Sequence, residues 1–133
     1  MEKVSSKTIH SSIRELLSFA TTYSKVDYEY EKYLNTSNRE LFCLQQYGEI
    51  VGCIGIEIVS PNECVIKHIT VSTKQRGKSF GSQMINFLSQ QYRVISAETD
   101  NDAVGFYRKT GFKIISLGEK YPSVERFLCN YTN

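Results

Sequence analysis

Residues 41–72 constrain this chain more than any other stretch. LFCLQQY runs into the turn signal Gly48-Glu49, then IVGCIGIEIV, then Pro61-Asn62, then CVIKHITVS. Apolar runs rich in β-branched residues and bounded by turn residues read as strands, and connections this short permit only antiparallel neighbours. The segment is therefore a three-strand antiparallel meander, and the rest of the chain must build onto it.

Upstream, Ile9, Ile13, Leu16, Leu17 and Ala20 recur at helical spacing, which predicts a helix over residues 9–24. Ser12 with Glu15 three positions on has the form of a capping box. Asp27–Leu34 (DYEYEKYL) reads as a second, short acidic helix that ends at the polar cluster Asn35–Asn38. Downstream, Phe80, Met84, Ile85 and Leu88 line one face of a third helix. Arg93–Thr99 reads as a strand, Asp102–Thr110 as a helix stopped by Gly111, and FKIISL and Glu125–Tyr131 as two further strands. The resulting order, α-α-β-β-β-α-β-α-β-β, describes an α/β domain of the α+β type with a mixed sheet, antiparallel first and crossing over through helices later. With no repeat, linker or low-complexity segment, residues 1–133 form a single domain.

At 133 residues and 41% apolar, the chain can bury a core without a disulfide or metal staple. Its formal net charge of +2 is too small to imply a nucleic-acid or membrane partner. The longest apolar stretch, Ile50–Val59, is short and broken by Gly52, Gly55 and Glu57, and MEKVSSKTIHSS lacks the apolar run of a signal peptide, so cytoplasmic residence is expected. Cys43, Cys53, Cys64 and Cys129 are dispersed, and only His10 and His68 could join them as soft ligands. No metal site is expected, and the cysteines read as small buried hydrophobes.

The segment ITVSTKQRGKSFGSQMINFL, residues 69–88, carries the chemistry. Lys74, Arg76 and Lys78 supply cations, while Gly77, Ser79, Gly81 and Ser82 keep the backbone open just before a helix N-terminus, the arrangement of a phosphate cradle. Gly77-Lys78-Ser79 also matches the end of a P-loop, but the first glycine of that motif would fall at Ser72, whose Cβ suits the tight turn poorly. Arg76–Gly81 (RGKSFG) instead resembles the pyrophosphate loop Arg/Gln-x-x-Gly-x-Gly/Ala of the GNAT superfamily of acetyl-CoA-dependent N-acetyltransferases. Residues 100–112 (DNDAVGFYRKTGF) resemble the same family's Asn-x-x-Ala-x-x-x-Tyr-x-x-x-Gly-Phe segment, with Ala103, Tyr107, Gly111 and Phe112 in register. The two departures from the pattern are Ser79, where a glycine is usual and where a Cβ is accommodated if φ stays negative, and Asp100, which takes the usual Asn position and leaves open whether it or Asn101 meets the cofactor.

The resemblance implies acetyl-CoA as co-substrate, with its pantetheine arm held by backbone groups of two splayed strands, Ile69–Val71 and about Ser96–Thr99, and its diphosphate by Arg76, Gly77, Lys78, Ser79, Gly81 and Ser82. It further implies direct acetyl transfer to an amine, a backbone N–H near Val71 stabilising the oxyanion, and Tyr107 as general acid. For the general base, His68 on its strand and Glu57 within an otherwise apolar strand are both candidates. Asp27–Tyr33 and the connection Gly118–Arg126 are expected to shape the acceptor pocket. The acceptor expected is a small-molecule or peptide amine, with the protein a monomer or homodimer. The alternative is a catalytically silent acetyl-CoA-binding sensor.

Overall fold

The computed structural model describes residues 1–133. Its elements are β1 (Glu2–Lys3), α1 (Ser11–Ala20), α2 (Val26–Asn35), β2 (Arg39–Gln46), β3 (Glu49–Ser60), β4 (Glu63–Val71), α3 (Phe80–Ser89), β5 (Val94–Asp100), α4 (Val104–Lys109), β6 (Lys113–Tyr121) and β7 (Val124–Thr132). The strands form one seven-stranded sheet in the order β1-β2-β3-β4-β5-β7-β6. β2, β3 and β4 make the antiparallel meander, β4 and β5 pair in parallel across the α3 crossover, and β5, β7 and β6 are antiparallel again. This is the mixed, helix-flanked sheet expected from the element order, with β1 as an added edge strand too short to show a periodicity.

The sheet is covered on both faces of its first half. On one, Met84, Ile85 and Leu88 of α3 and Val104 and Tyr107 of α4 pack with Phe42, Ile54, Ile56, Ile66 and Ile95. On the other, Ile13, Leu16 and Leu17 of α1 and Val26, Tyr30 and Tyr33 of α2 lie on Leu41 and Cys53. Cys53 and Ile54 fall in different cores because successive strand side chains point to opposite faces. Each fully buried Leu or Ile contributes about 1.5–3 kcal/mol, so these two layers are what hold the strands in register. All four cysteines are buried and free, and burial pushes the Cys53 and Cys64 thiols up to about 12.

Three local expectations are corrected. α1 is capped by His10, whose Nδ1 accepts from the Ser12 amide at 3.0 Å, so Ser12 lies inside the first turn and is not the cap. The helix ends at Ala20 because Thr21 is extended at φ −145°, and a 3-10 turn over Tyr23–Lys25 leads into α2. The Gly118–Arg126 connection is largely strand, forming the end of the β6–β7 hairpin with Ser123 in the left-handed region at φ +64°.

β4 carries an irregularity that matters for the site. His68 pairs with Gly55 but Ile66 pairs with Ile56, so Lys67 is an extra residue, a β-bulge. It shifts the alternation by one. Cys64 and Ile66 before it and Ile69 and Val71 after it all pack toward α3, while His68 and Thr70 face the α1/α2 layer, where Thr70 lies 3.4 Å from the Cys53 sulfur.

Gly55 makes that layer possible. A Cβ built on it would lie within 2.0 Å of the Tyr33 hydroxyl oxygen, so the phenol of α2 crosses directly over this position. Replacing Gly55 by Ala forces Tyr33 off its seat, and the expected cost is about 1–3 kcal/mol. Urea denaturation of Gly55→Ala checks it: a midpoint equal to that of the parent would show that the layer repacks without loss.

Candidate active site

β4 and β5 pair only from Glu63–Val94 to Ile66–Ala97. Beyond that point β4 continues along β3, and β5 continues along β7, so Lys67–Val71 and Glu98–Asp100 diverge with no ladder between them. The gap opens at the bulge. The expected splay therefore holds for Ile69 and Val71, but on β5 it starts at Glu98, because Ser96 and Ala97 are still paired with Val65 and Ile66. Backbone N–H and C=O groups facing the gap lack strand partners, and an amide-bearing chain laid between the strands can satisfy them.

The basic loop lies at the wide end of that gap. Ser72 donates its amide to Val51 O at 2.8 Å, a 3-10 turn covers Thr73–Gln75, and α3 starts at Phe80. Gly77 has φ +83° and Ser79 φ +66°. Ser79 thus corrects the expectation of a negative φ: the loop turns left-handed at this residue despite its Cβ, a conformation costing about 1–2 kcal/mol. The turn delivers the chain to α3 without a side-chain cap, so the first-turn amides of Phe80, Gly81 and Ser82 have no acceptor within the helix. A Cβ on Gly81 would lie 2.6 Å from Phe106, so glycine is what lets the start of α3 sit against α4.

The loop's cations are not equivalent. Arg76 donates from Nε to Val71 O at 3.3 Å and stacks its guanidinium 5.6 Å from the Phe19 ring centroid, tying the loop to the end of β4 and to α1. Lys78 donates to Gln75 Oε1 at 3.0 Å. On the β5 side, Asp100 Oδ1 accepts from the Asp102 amide at 3.0 Å, and Asn101 is exposed. Asp100 is thereby committed to the turn into α4, which begins at Val104, two residues later than the helical pattern suggested.

Tyr107 projects from α4 into the larger core. It is 5% exposed, and its ring makes edge contacts with Phe106 and Phe112 at centroid distances of 5.2 and 5.1 Å. Burial above all, helped by the nearby Cys129 thiol, pushes its phenol above the ordinary value, so it holds its proton throughout the neutral range.

The two base candidates lie on the opposite face, on the neighbouring strands β3 and β4, with His68 opposite Gly55 and Glu57 opposite Val65. His68 Nδ1 is 2.5 Å from the Tyr33 hydroxyl, with the rings edge to face. Burial is the largest influence on its imidazole and lowers its pKa, against a smaller opposing pull from Glu29. Glu57 is bound by Arg39, whose Nε and Nη2 both reach its Oε2, at 3.2 and 3.0 Å. Glu29 of α2 approaches Arg39 Nη1 at 3.7 Å. Of the acidic α2, Glu29 and Tyr33 thus reach this pair, whereas Asp27 pairs with Arg14 at 2.8 Å; Arg39 went unrecognised in the sequence, since nothing local marks an arginine at a strand start as the partner of a glutamate 18 residues away. The hairpin end joins the same side, where Glu98 binds Lys120 at 2.9 Å and Arg126 at 3.5 Å.

Comparison with known proteins places this arrangement. The family model described as "Acetyltransferase (GNAT) domain" matches residues 37–114. An uncharacterized N-acetyltransferase of Bacillus methanolicus is 30% identical over 68 residues, which cover 51% of this chain and 57% of that protein. The match thus spans little more than half the length of that relative. Among solved structures, an Elizabethkingia anophelis GNAT family acetyltransferase with acetyl-CoA bound superposes with a TM-score of 0.75 at 20% identity, over 99% of this chain and 96% of that one. An aminoglycoside 6'-N-acetyltransferase of Enterococcus faecium gives 0.74 at 18% identity, over 99% and 97%. At such identities the likeness to these structures is one of fold. No helix of the protein is long and apolar enough to cross a membrane.

The lowered His68 pKa has a sign that can be checked. As pH falls through about 6.5 the unfolded chain takes up a proton at this residue before the folded one does, so its contribution to stability is present above that pH and is lost below it. Unfolding free energies measured between pH 8 and 5 should therefore decline toward acid, and His68→Gln should flatten the decline. An identical slope in the variant would show that His68 does not titrate differently on folding.

Proposed function

The chain belongs to the GNAT acetyltransferase family, and from that premise we propose that it is an N-acetyltransferase that transfers acetyl from acetyl-CoA directly to a primary amine on a small molecule or peptide. The observation that carries this reading is the parting of β4 and β5 directly before an uncapped helix N-terminus. The first feature suits an amide-bearing arm, and the second suits a diphosphate, so together they fit the two halves of one ligand. The amine class is supported by the same fold in an enzyme named for 6'-N-acetylation of aminoglycosides.

Acetyl-CoA, when bound, supplies a thioester whose acyl carbon an amine can attack with release of the thiol. The residues to hold it are the backbone of Ile69 and Val71 in the gap and the loop Arg76, Gly77, Lys78, Ser79, Gly81 and Ser82. Asn101 is better placed than Asp100 to reach a ligand, since the Asp100 carboxylate is already used in its own turn. In this role Arg76 acts in part by fixing the loop to Val71 O, and the free amides of α3 supply the donors. Tyr107 keeps a proton on its phenolic oxygen and is assigned the role of donor to the departing sulfur. Glu57 and His68 are the two side chains from which the base that removes the amine's proton is drawn.

Two measurements test the reading. Saturating acetyl-CoA, at 100 times its dissociation constant, should stabilise the fold by about 2.7 kcal/mol, and Arg76→Ala with Lys78→Ala should abolish most of the shift. A shift unchanged by the double substitution would remove the loop from the binding site. In a thiol-release screen across amine classes, Tyr107→Phe should keep cofactor binding while slowing turnover by a factor of about 100 to 10,000. Binding without thiol release from any amine would instead favour a silent sensor, and turnover by Tyr107→Phe at the parent rate would relieve Tyr107 of its role.

A further inference from the structure

The α1/α2 side of the site contains a device that the family resemblance does not supply. Tyr33 reaches from α2 across the space left by Gly55 to His68, the cross-strand partner of Gly55. Tyr33 is 4% exposed, and the one side-chain hydrogen bond of its hydroxyl is to His68 Nδ1. A neutral imidazole carries one N–H and one lone pair, and a phenol can either donate or accept. If Nδ1 carried the hydrogen and donated it to the phenol oxygen, the phenol's own hydrogen would be left in a buried space with no acceptor. If the phenol donates to Nδ1, every hydrogen in the pair is used, and the ring hydrogen must sit on Nε2.

Resting on the acetyltransferase reading for its catalytic consequence, we infer that Tyr33 is a positioning residue whose hydroxyl donates to Nδ1 of His68 and locks the Nε2–H tautomer, so that β4 offers the acceptor site a hydrogen-bond donor and not a proton-accepting lone pair. His68 then offers its Nε2–H to an oxygen of the acceptor or of an ordered water. Proton removal is left to Glu57. Both Arg39 contacts fall on its Oε2, which leaves Oε1 on the same face without a protein partner. The two candidates therefore divide the work by geometry: one donor fixed by a phenol, one acceptor fixed by a guanidinium.

The experiment is nitrogen-15 NMR of the imidazole side chains in the full-length protein. Only His10 and His68 are present, and His10→Asn keeps an N-cap acceptor while leaving a single imidazole to observe. At neutral pH His68 should show one tautomer, with a protonated Nε2 and an unprotonated Nδ1, and Tyr33→Phe should turn it into a mixture. The same substitution should lower kcat for the best amine about tenfold while the KM for acetyl-CoA stays within twofold. An Nδ1–H signal in the His10→Asn protein overturns the proposal even if Tyr33→Phe fails to fold, and so does an unchanged tautomer in a folded Tyr33→Phe protein. Absence of turnover with every amine would sink the enzymatic reading and leave the tautomer result standing by itself.

Discussion

Hydrogen bonding along β4 and β5 cannot continue past Ile66 and Ala97, and the organisation of the molecule follows from how each strand is held after that point. A strand that loses one neighbour stays extended only if the other neighbour and its side chains keep it there. β4 does so through β3 and through Ile69 and Val71 packed on the α3 side; β5 does so through the pairing of Glu98, Thr99 and Asp100 with β7. The helices complete the support, since α3 bridges the two diverging strands and α1 and α2 cover the opposite face. An opening lined by backbone polar groups is costly unless water or a ligand meets those groups, and the two flanking cores are large enough to sustain it.

The same parting sorts the candidate residues into two groups by side. Tyr107 and the glycines of the loop lie with α3 and α4, where burial keeps a phenol protonated. His68, Glu57, Tyr33 and Arg39 lie with α1 and α2, where charges occur in contact: Arg39 is shared between Glu57 and Glu29. The sheet lies between these two groups of side chains, so they cannot neutralise one another. The hairpin of β6 and β7 closes one flank through Glu98, Lys120 and Arg126, an exposed cluster worth little to stability but able to orient the hairpin end.

What was legible in the sequence was what local spacing encodes. The meander from 41 to 72 and the apolar face of Phe80, Met84, Ile85 and Leu88 are periodic over enough residues to be seen, and the glycine-bearing basic loop stands out by composition. His68 and Glu57 were visible as polar interruptions of strands, yet their partners were not, because Tyr33 and Arg39 are brought to them by tertiary packing across 35 and 18 residues. His10 as a cap, in place of Ser12, depended on a ring nitrogen doing the work of a hydroxyl. Ser79 illustrates the opposite limit: residue preference argued for a negative φ, and the need to aim the chain into α3 overrode it.

The extra residue at Lys67 also fixes how this strand can change over evolutionary time. The bulge adds a residue without exchanging the faces: Ile66 and Ile69 both lie on the α3 side with Lys67 and His68 between them, one residue more than plain alternation needs. Loss of the Lys67 codon would therefore leave Ile69 and Val71 beneath α3 and return β4 to an unbroken ladder with β3. Point substitutions can explore this strand one side chain at a time. Descendants of this chain can also lose the extra residue without exchanging the two faces, at the cost of the irregularity that stands where β4 and β5 part.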